Sequence, residues 1–270
     1  MTIKTLVDRQ TGVANVILSR PDKLNAMNTA FWSDCKHIFS TLSTDPDVRV
    51  ILLSAQGRAF TAGLDLKDGP LNTLFADPDP SPDEARSSIK ILDTLRYLQS
   101  CFTAIASCRQ PVIACIHGPC VGGGIDMITA CDIRLCTSDA QFCVKEVDIA
   151  IAADVGTLQR LPKVVGNQAW VNDVCLTGRV FSGQEAERVG LVSQTFPSSQ
   201  EMMDAAQRLA LQIASKSPVA TYGIKHILDY SRERSVSEGL EHVALWNASM
   251  FKSADVMTAI SVKTPIFPKL

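Results

Sequence analysis

Short apolar, β-branched runs recur along the first half of the chain, separated by longer stretches that carry helical spacing. They are "VANVILS" (13 to 19), "VRVILLSA" (48 to 55), "PVIACIHG" (111 to 118), "DIRLCT" (132 to 137) and "AQFCV" (140 to 144). Runs of this length bounded by turn residues predict buried strands, and their alternation with helical stretches predicts an α/β fold. Between Asp68 and Arg86 the periodicity fails, because "DGPLNTLFADPDPSPDEAR" scatters Pro and Asp through the segment; it predicts a mobile connection beside a possible site. The second half reads differently. Ser182 with Glu185, Ser198 with Glu201 and Ser235 with Glu238 have capping-box spacing and predict helix starts, and Gly190 suits a helix stop. From about residue 198 the pattern is helical, with Leu209, Ile213, Leu240, Val243 and Leu245 as stripe candidates. The expected organisation is a core over 1–197 and a helical region over 198–270.

Composition narrows the classes of function. A chain of 270 residues that is 46% hydrophobic can bury one large core. Lys and Arg total 26 against 28 Asp and Glu, so the net charge of -2 supplies no global field for nucleic acid or an anionic membrane. The nine cysteines are odd in number, lack C-x-x-C spacing and sit among Val, Ile and Ala, the usage of a reducing compartment. With four histidines and no ligand-like spacing, no metal is expected. The start "MTIKTLVDRQTG" lacks the apolar core of a signal peptide, and no run reaches the length of a membrane span. The final Pro-Lys-Leu is a near variant of a peroxisomal address, which sets the expected location as peroxisome or a related organelle, otherwise mitochondrion or cytoplasm.

Three stretches can carry chemistry. In "HGPCVGGGIDMITACD" (117 to 132) an apolar strand runs into Gly122, Gly123 and Gly124 and then into a helical pattern; such a turn lets backbone N–H groups approach an anion. It is neither a Walker loop nor G-x-G-x-x-G, and a turn without a ligand fits it equally. "AFTAGLDL" (59 to 66) has the same form around Gly63, so one N–H from each turn could converge on one oxygen and stabilise negative charge there. The third stretch, "VKEVDIAIAADVGTLQRLP" (144 to 162), places Glu146 and Asp154 among Val, Ile and Ala. Extended, the eight steps between them would span roughly 26 Å, so the acids meet only if the chain turns back. In a shared apolar pocket, burial and repulsion would keep one protonated while the other is charged, giving an acid and a base in one site. Alternatively Glu146 pairs with a base and Asp154 caps a helix near Gly156. Asp126 could be an early-helix acid that complements the dipole. Cys120 beside His117 is a poor nucleophile, since strand neighbours point apart.

Together, "LSRPDKLNAMN", "FTAGLDL", "PVIACIHGPCVGGGIDMITACDIRLCT", "FCVKEVDIAIAADVGTLQRLPKVVGN" and "LTGRVFSGQEAERVGLV" resemble the crotonase superfamily, the enoyl-CoA hydratase/isomerase family, over essentially the whole chain. A typical hydratase carries Glu two residues after the glycines, a second Glu at the place of Glu146 and Gly at the place of Asp154. Asp126, Glu146 and Asp154 instead are the trio of the branch that isomerises dienoyl-CoA. The resemblance implies a spiral of ββα units followed by C-terminal helices that assemble trimers or hexamers. It implies an acyl-CoA substrate, with coenzyme A as part of the substrate and no separate cofactor. The N–H groups of Leu64 and Gly123 are the implied oxyanion hole, and Ala62, Gly63, Leu64, Asp65, Leu66 and Gly123 the implied substrate contacts. The implied reaction converts 3,5-dienoyl-CoA to 2,4-dienoyl-CoA in β-oxidation: of Glu146 and Asp154, one takes the C2 proton and the other supplies a proton at C6, while Asp126 tunes the pocket. Alternatives are 2-enoyl-CoA hydration, a Δ3 to Δ2 shift, or an RNA-binding relative without catalysis.

Overall fold

The computed structural model describes residues 2–70 and 83–270. The mobile connection expected between Asp68 and Arg86 therefore lies, between 71 and 82, outside the described residues. An antiparallel hairpin, β1 (Ile3–Asp8) and β2 (Val13–Leu18), opens the chain. Then β3 (Val50–Ala55), β4 (Val112–Ile116), β6 (Ile133–Thr137) and β9 (Gln194–Phe196) add in parallel to give the order β1-β2-β3-β4-β6-β9. A second sheet, β5-β7-β8, pairs β5 (Pro119–Val121) in parallel with β7 (Gln141–Cys143), and β7 antiparallel with β8 (Phe181–Ser182). Parallel strands need long crossovers, and here these are α1 (Thr29–Thr44), α2 (Glu84–Ala106) and α3 (Gly123–Thr129). Further helices are α4 (Thr157–Val164), α5 (Gln168–Thr177), α6 (Gly183–Arg188), α7 (Ser199–Ala214), α8 (Pro218–Ser231), α9 (Val236–Met250) and α10 (Ala254–Ser261).

Both faces of the large sheet are covered, which explains why its strands read as unbroken apolar runs. Ile51 and Leu53 of β3 face a core with Phe31, Trp32 and Phe102 from α1 and α2. Their neighbours Val50 and Leu52 face the other way, onto Met202, Ala206 and Ala210 of α7. Ala206, Ala210 and Ala214 recur at every fourth residue, and these small side chains bring α7 close to the strands. Helix α7 thus packs on the sheet, whereas α8 to α10 leave Ile224, Leu228, Leu240, Leu245, Phe251 and Ile260 exposed. The three Ser-x-x-Glu sequences each cap a helix. Ser182 and Ser198 accept from the N–H of Glu185 and Glu201, and Ser235 with Glu238 forms the full reciprocal box.

Phe102 joins α2 to α1 through ring contacts of 5.0 Å to Trp32 and 6.4 Å to Phe31, and it is fully buried. Replacing it with Ala is expected to cost about 3–5 kcal/mol in urea unfolding through the cavity left behind. A loss below about 1 kcal/mol would mean that the contact between these helices lies elsewhere.

Candidate active site

Asn25 begins the construction of the site. With Leu24 it holds a left-handed backbone (φ 54 and 50), and its buried side-chain amide donates to the carbonyls of Gln56 (2.8 Å) and Ala59 (2.9 Å). Its main-chain carbonyl accepts the Thr61 hydroxyl at 2.8 Å, and that hydroxyl accepts the N–H of Gly63 at 3.1 Å. On either side of Leu64, Met27 N–H donates to the Gly63 carbonyl (2.8 Å) and Asp65 N–H to the Met27 carbonyl (3.1 Å). The turn is pinned on both flanks. Gly63 lies so close to the glycine run that a Cβ would stand 2.7 Å from the Val121 carbonyl, and its φ of +84 favours glycine on its own. Gly122 has φ 54 and ψ -120, a conformation that turns the chain from β5 directly into α3. The two turns expected to converge are therefore packed on one another. Among the described residues, the carbonyls of these loops accept neither the Leu64 nor the Gly123 N–H.

Both turns open on one pocket, a space of about 130 Å³ that is walled by Met27, Trp32, Leu66, Leu98, Ile149 and Ile151 and that also has Leu64, Gly123, Glu146 and Asp154 on its lining. The chain does turn back between the two acids. It does so through a 3-10 turn, Glu146–Ile149, followed by Ala150 at φ 61. Lys145 is engaged by Asp148 and does not neutralise Glu146. A Cβ on Gly122 would lie 3.3 Å from Glu146 Oε1, so this carboxyl stands against the glycine turn. Asp154 caps no helix; the N-cap of α4 is Gly156, and Asp154 offers its main-chain carbonyl to Gln99 Nε2 at 2.8 Å.

Asp126 is fully buried and does not line the pocket. Its Oδ1 accepts the Thr157 N–H at 2.5 Å, tying α3 to the start of α4, while its Oδ2 and Glu146 Oε2 have no hydrogen-bond partner among the described residues. Burial pushes Asp126 up to about 6, against the Thr157 hydrogen bonds and Arg160, with the Asp154 charge adding to the rise. Burial, then the charges of Asp126 and Asp154, pushes Glu146 up to about 7, and burial raises Asp154 as well. Around neutral pH the group therefore holds protons that free carboxylates would have lost. The site can both accept and donate a proton within one apolar enclosure.

The sequence reading missed Met27, Trp32, Leu98, Ile149 and Ile151 as pocket walls and Arg160 as a brace, since isolated apolar or basic residues carry no local signature. Arg160 donates to the Val155 carbonyl and to Thr103 Oγ1, both at 3.3 Å. Cys120 is fully buried with its thiol pushed far up by burial, and His117 is bonded to the Gly57 carbonyl at 2.8 Å, so neither serves as a nucleophile. Among the described residues no group of three or more His, Cys, Asp or Glu could hold a metal ion, and no helix is long and apolar enough to cross a membrane.

A fold of parallel strands and crossover helices, with paired glycine turns over an acidic pocket, defines a class. The chain belongs to the enoyl-CoA hydratase/isomerase family, whose model matches residues 8–262, and its fold is the crotonase fold. It is 48% identical over 255 residues to the mitochondrial Δ(3,5)-Δ(2,4)-dienoyl-CoA isomerase of Homo sapiens, covering 94% of this chain and 77% of that one. It is 45% identical to the peroxisomal Δ(3,5)-Δ(2,4)-dienoyl-CoA isomerase of Arabidopsis thaliana, over 96% of this chain and 94% of that one. A crystal structure of enoyl-CoA hydratase from Bacillus anthracis matches with a TM-score of 0.86 at 25% identity, covering 99% of each chain.

The raised acids carry a pH dependence of stability with a defined sign. The folded state binds protons that the unfolded state releases near pH 4, so unfolding free energy falls as pH rises from about 4 through about 7. Asp126→Asn keeps the acceptor for Thr157 and removes one charge. It is expected to stabilise by about 1–3 kcal/mol at pH 8 and to change little near pH 4, read by urea unfolding at both values. An equal effect at the two pH values would contradict the burial of a charged Asp126.

Proposed function

We propose that this protein isomerises 3,5-dienoyl-CoA to 2,4-dienoyl-CoA by moving a proton from C2 to C6. The observation that carries the reading is a mainly apolar pocket lined by Glu146 and Asp154 together with Lys145, which Asp148 engages, next to the N–H groups of Leu64 and Gly123, which have no backbone acceptor among the described residues. The identity to relatives named as dienoyl-CoA isomerases supports it independently. In this reading the thioester oxygen sits between the N–H groups of Leu64 and Gly123. The thioester makes the C2 proton acidic, and the two donors stabilise the charge that reaches oxygen when the proton leaves. Glu146, standing against Gly122 and thus beside the hole, takes the C2 proton. Negative charge spreads from C2 through C4 to C6, where Asp154 in its protonated form delivers a proton and both double bonds move.

Asp126 repels the charged form of Glu146 and strengthens it as a base, so it acts through Glu146 without touching the substrate. Its tie to Thr157 and its place behind the pocket suit this role better than the activation of a water. No cofactor is needed beyond the coenzyme A of the substrate. We read the exposed apolar face of α8 to α10 as a contact between copies of the chain, and the compartment as an organelle of β-oxidation like those named for its relatives.

Formation of the conjugated 2,4-dienoyl-CoA can be followed by absorbance, with 2-enoyl-CoA and 3-enoyl-CoA as comparison substrates. Glu146→Gln and Asp154→Asn are each expected to lower the 3,5-dienoyl-CoA rate by about 10²-fold or more. Faster turnover of 2-enoyl-CoA, or full activity in both variants, would overturn the reading. The rate should pass through a maximum with pH, falling at low pH where both Glu146 and Asp154 are protonated and at high pH where both are ionised, with the two limbs belonging to the coupled pair. Light scattering should return an oligomer, and a stable monomer at micromolar concentration would remove the assignment of the α8 to α10 face.

A further inference from the structure

Asp154 and Val155 line two cavities. One is the acyl pocket. The other is a cleft of about 750 Å³ between α2, the start of α4 and the α8 end. Its walls mix apolar residues such as Ala106, Val155 and Leu228 with polar side chains, of which Gln99, Thr103, Gln159, Lys163 and Asp229 are exposed to solvent. At liquid density a space of that size holds roughly two dozen waters. Asp154 and Val155 border both spaces, and this shared segment is braced by Gln99 on the Asp154 carbonyl and by Arg160 on the Val155 carbonyl. Glu146 does not line the cleft.

The proposed reaction leaves the two acids in the wrong state for a second turnover. Glu146 has gained the C2 proton and Asp154 has lost one to C6, so Glu146 must release a proton and Asp154 must take one up. We propose that the polar cleft is the route by which Asp154 exchanges its proton with water while the acyl chain is still bound, whereas the proton on Glu146 stays sealed beneath the substrate. This rests on the isomerase reading and adds a division of labour to it. The apolar side of Asp154 faces the reacting carbon, and the polar side connects it to solvent.

The test uses the unmodified enzyme in D2O. Incubated with 2,4-dienoyl-CoA, Asp154 removes a C6 proton, exchanges it through the cleft and returns deuterium to C6 without any passage to the 3,5-isomer. Mass spectrometry and NMR of early samples should show at least tenfold more deuterium at C6 than 3,5-dienoyl-CoA formed. In the reverse arm, recovered 3,5-dienoyl-CoA should hold no deuterium at C2 beyond the product made. Deuterium at C6 no greater than interconversion would overturn the inference while leaving the isomerase reading intact. Gln159→Phe, which places a ring in the cleft away from the pocket, should lower the ratio of C6 exchange to interconversion at least threefold. An unchanged ratio would assign the exchange to the pocket mouth and overturn the route. Failure to interconvert the two dienoyl-CoA species at all would overturn the isomerase reading itself, and this inference with it.

Discussion

Three carboxyl groups, Asp126, Glu146 and Asp154, are held in or against a hydrophobic interior, and much of the local structure answers to the cost of keeping them there. A buried carboxylate without a partner is unfavourable, so such groups retain protons. Glu146 Oε2 and Asp126 Oδ2 have no partner among the described residues, and the nearby basic groups are only partly committed to them. Lys145 turns outward to Asp148, and Arg160 spends hydrogen bonds on Val155 and Thr103. Incomplete neutralisation is destabilising for the fold and useful for chemistry. It sets Asp126 and Glu146 near the protonation midpoint at which a group can give or take a proton.

Holding such a site open requires rigidity elsewhere. The chain supplies it through backbone hydrogen bonds that fix the Leu64 turn from both flanks and through the close seat of Gly63 on Val121. The parallel sheet beneath, buried on both faces, gives these turns a fixed floor. Preorganised donors of this sort need no rearrangement when charge develops on an oxygen between them. Thr157 adds a further constraint, since its N–H on Asp126 ties the helix after the acidic loop to the helix after the glycines.

Much of this was legible in the sequence because it has local signatures. The strand runs, the Ser-x-x-Glu caps and the glycines at 63 and 122 to 124 follow from backbone requirements that a short window displays. The pairing of Glu146 with Asp154 was legible as a conditional, since the acids share a pocket only if the chain reverses. The sequence did not show where it reverses, because Ala150 adopts a left-handed conformation that nothing in its identity favours. Asp126 illustrates the opposite limit. Its position in the first turn of α3 fits a dipole role, yet its energetics come from Thr157, thirty-one residues away, and from burial that no neighbour in the sequence reports. The pocket walls were invisible for the same reason. Trp32 and Leu98 come together only because α1 and α2 cross the same sheet face.

The central claim is that the folded protein keeps carboxyl protons near neutral pH, and infrared titration of the protonated carboxyl C=O stretch tests it most directly. The account predicts a band that persists at about pH 6, fades by about pH 8 and weakens in Glu146→Gln. Complete ionisation of the folded protein by about pH 5 would contradict it, because the acids would then be ordinary surface-like carboxylates.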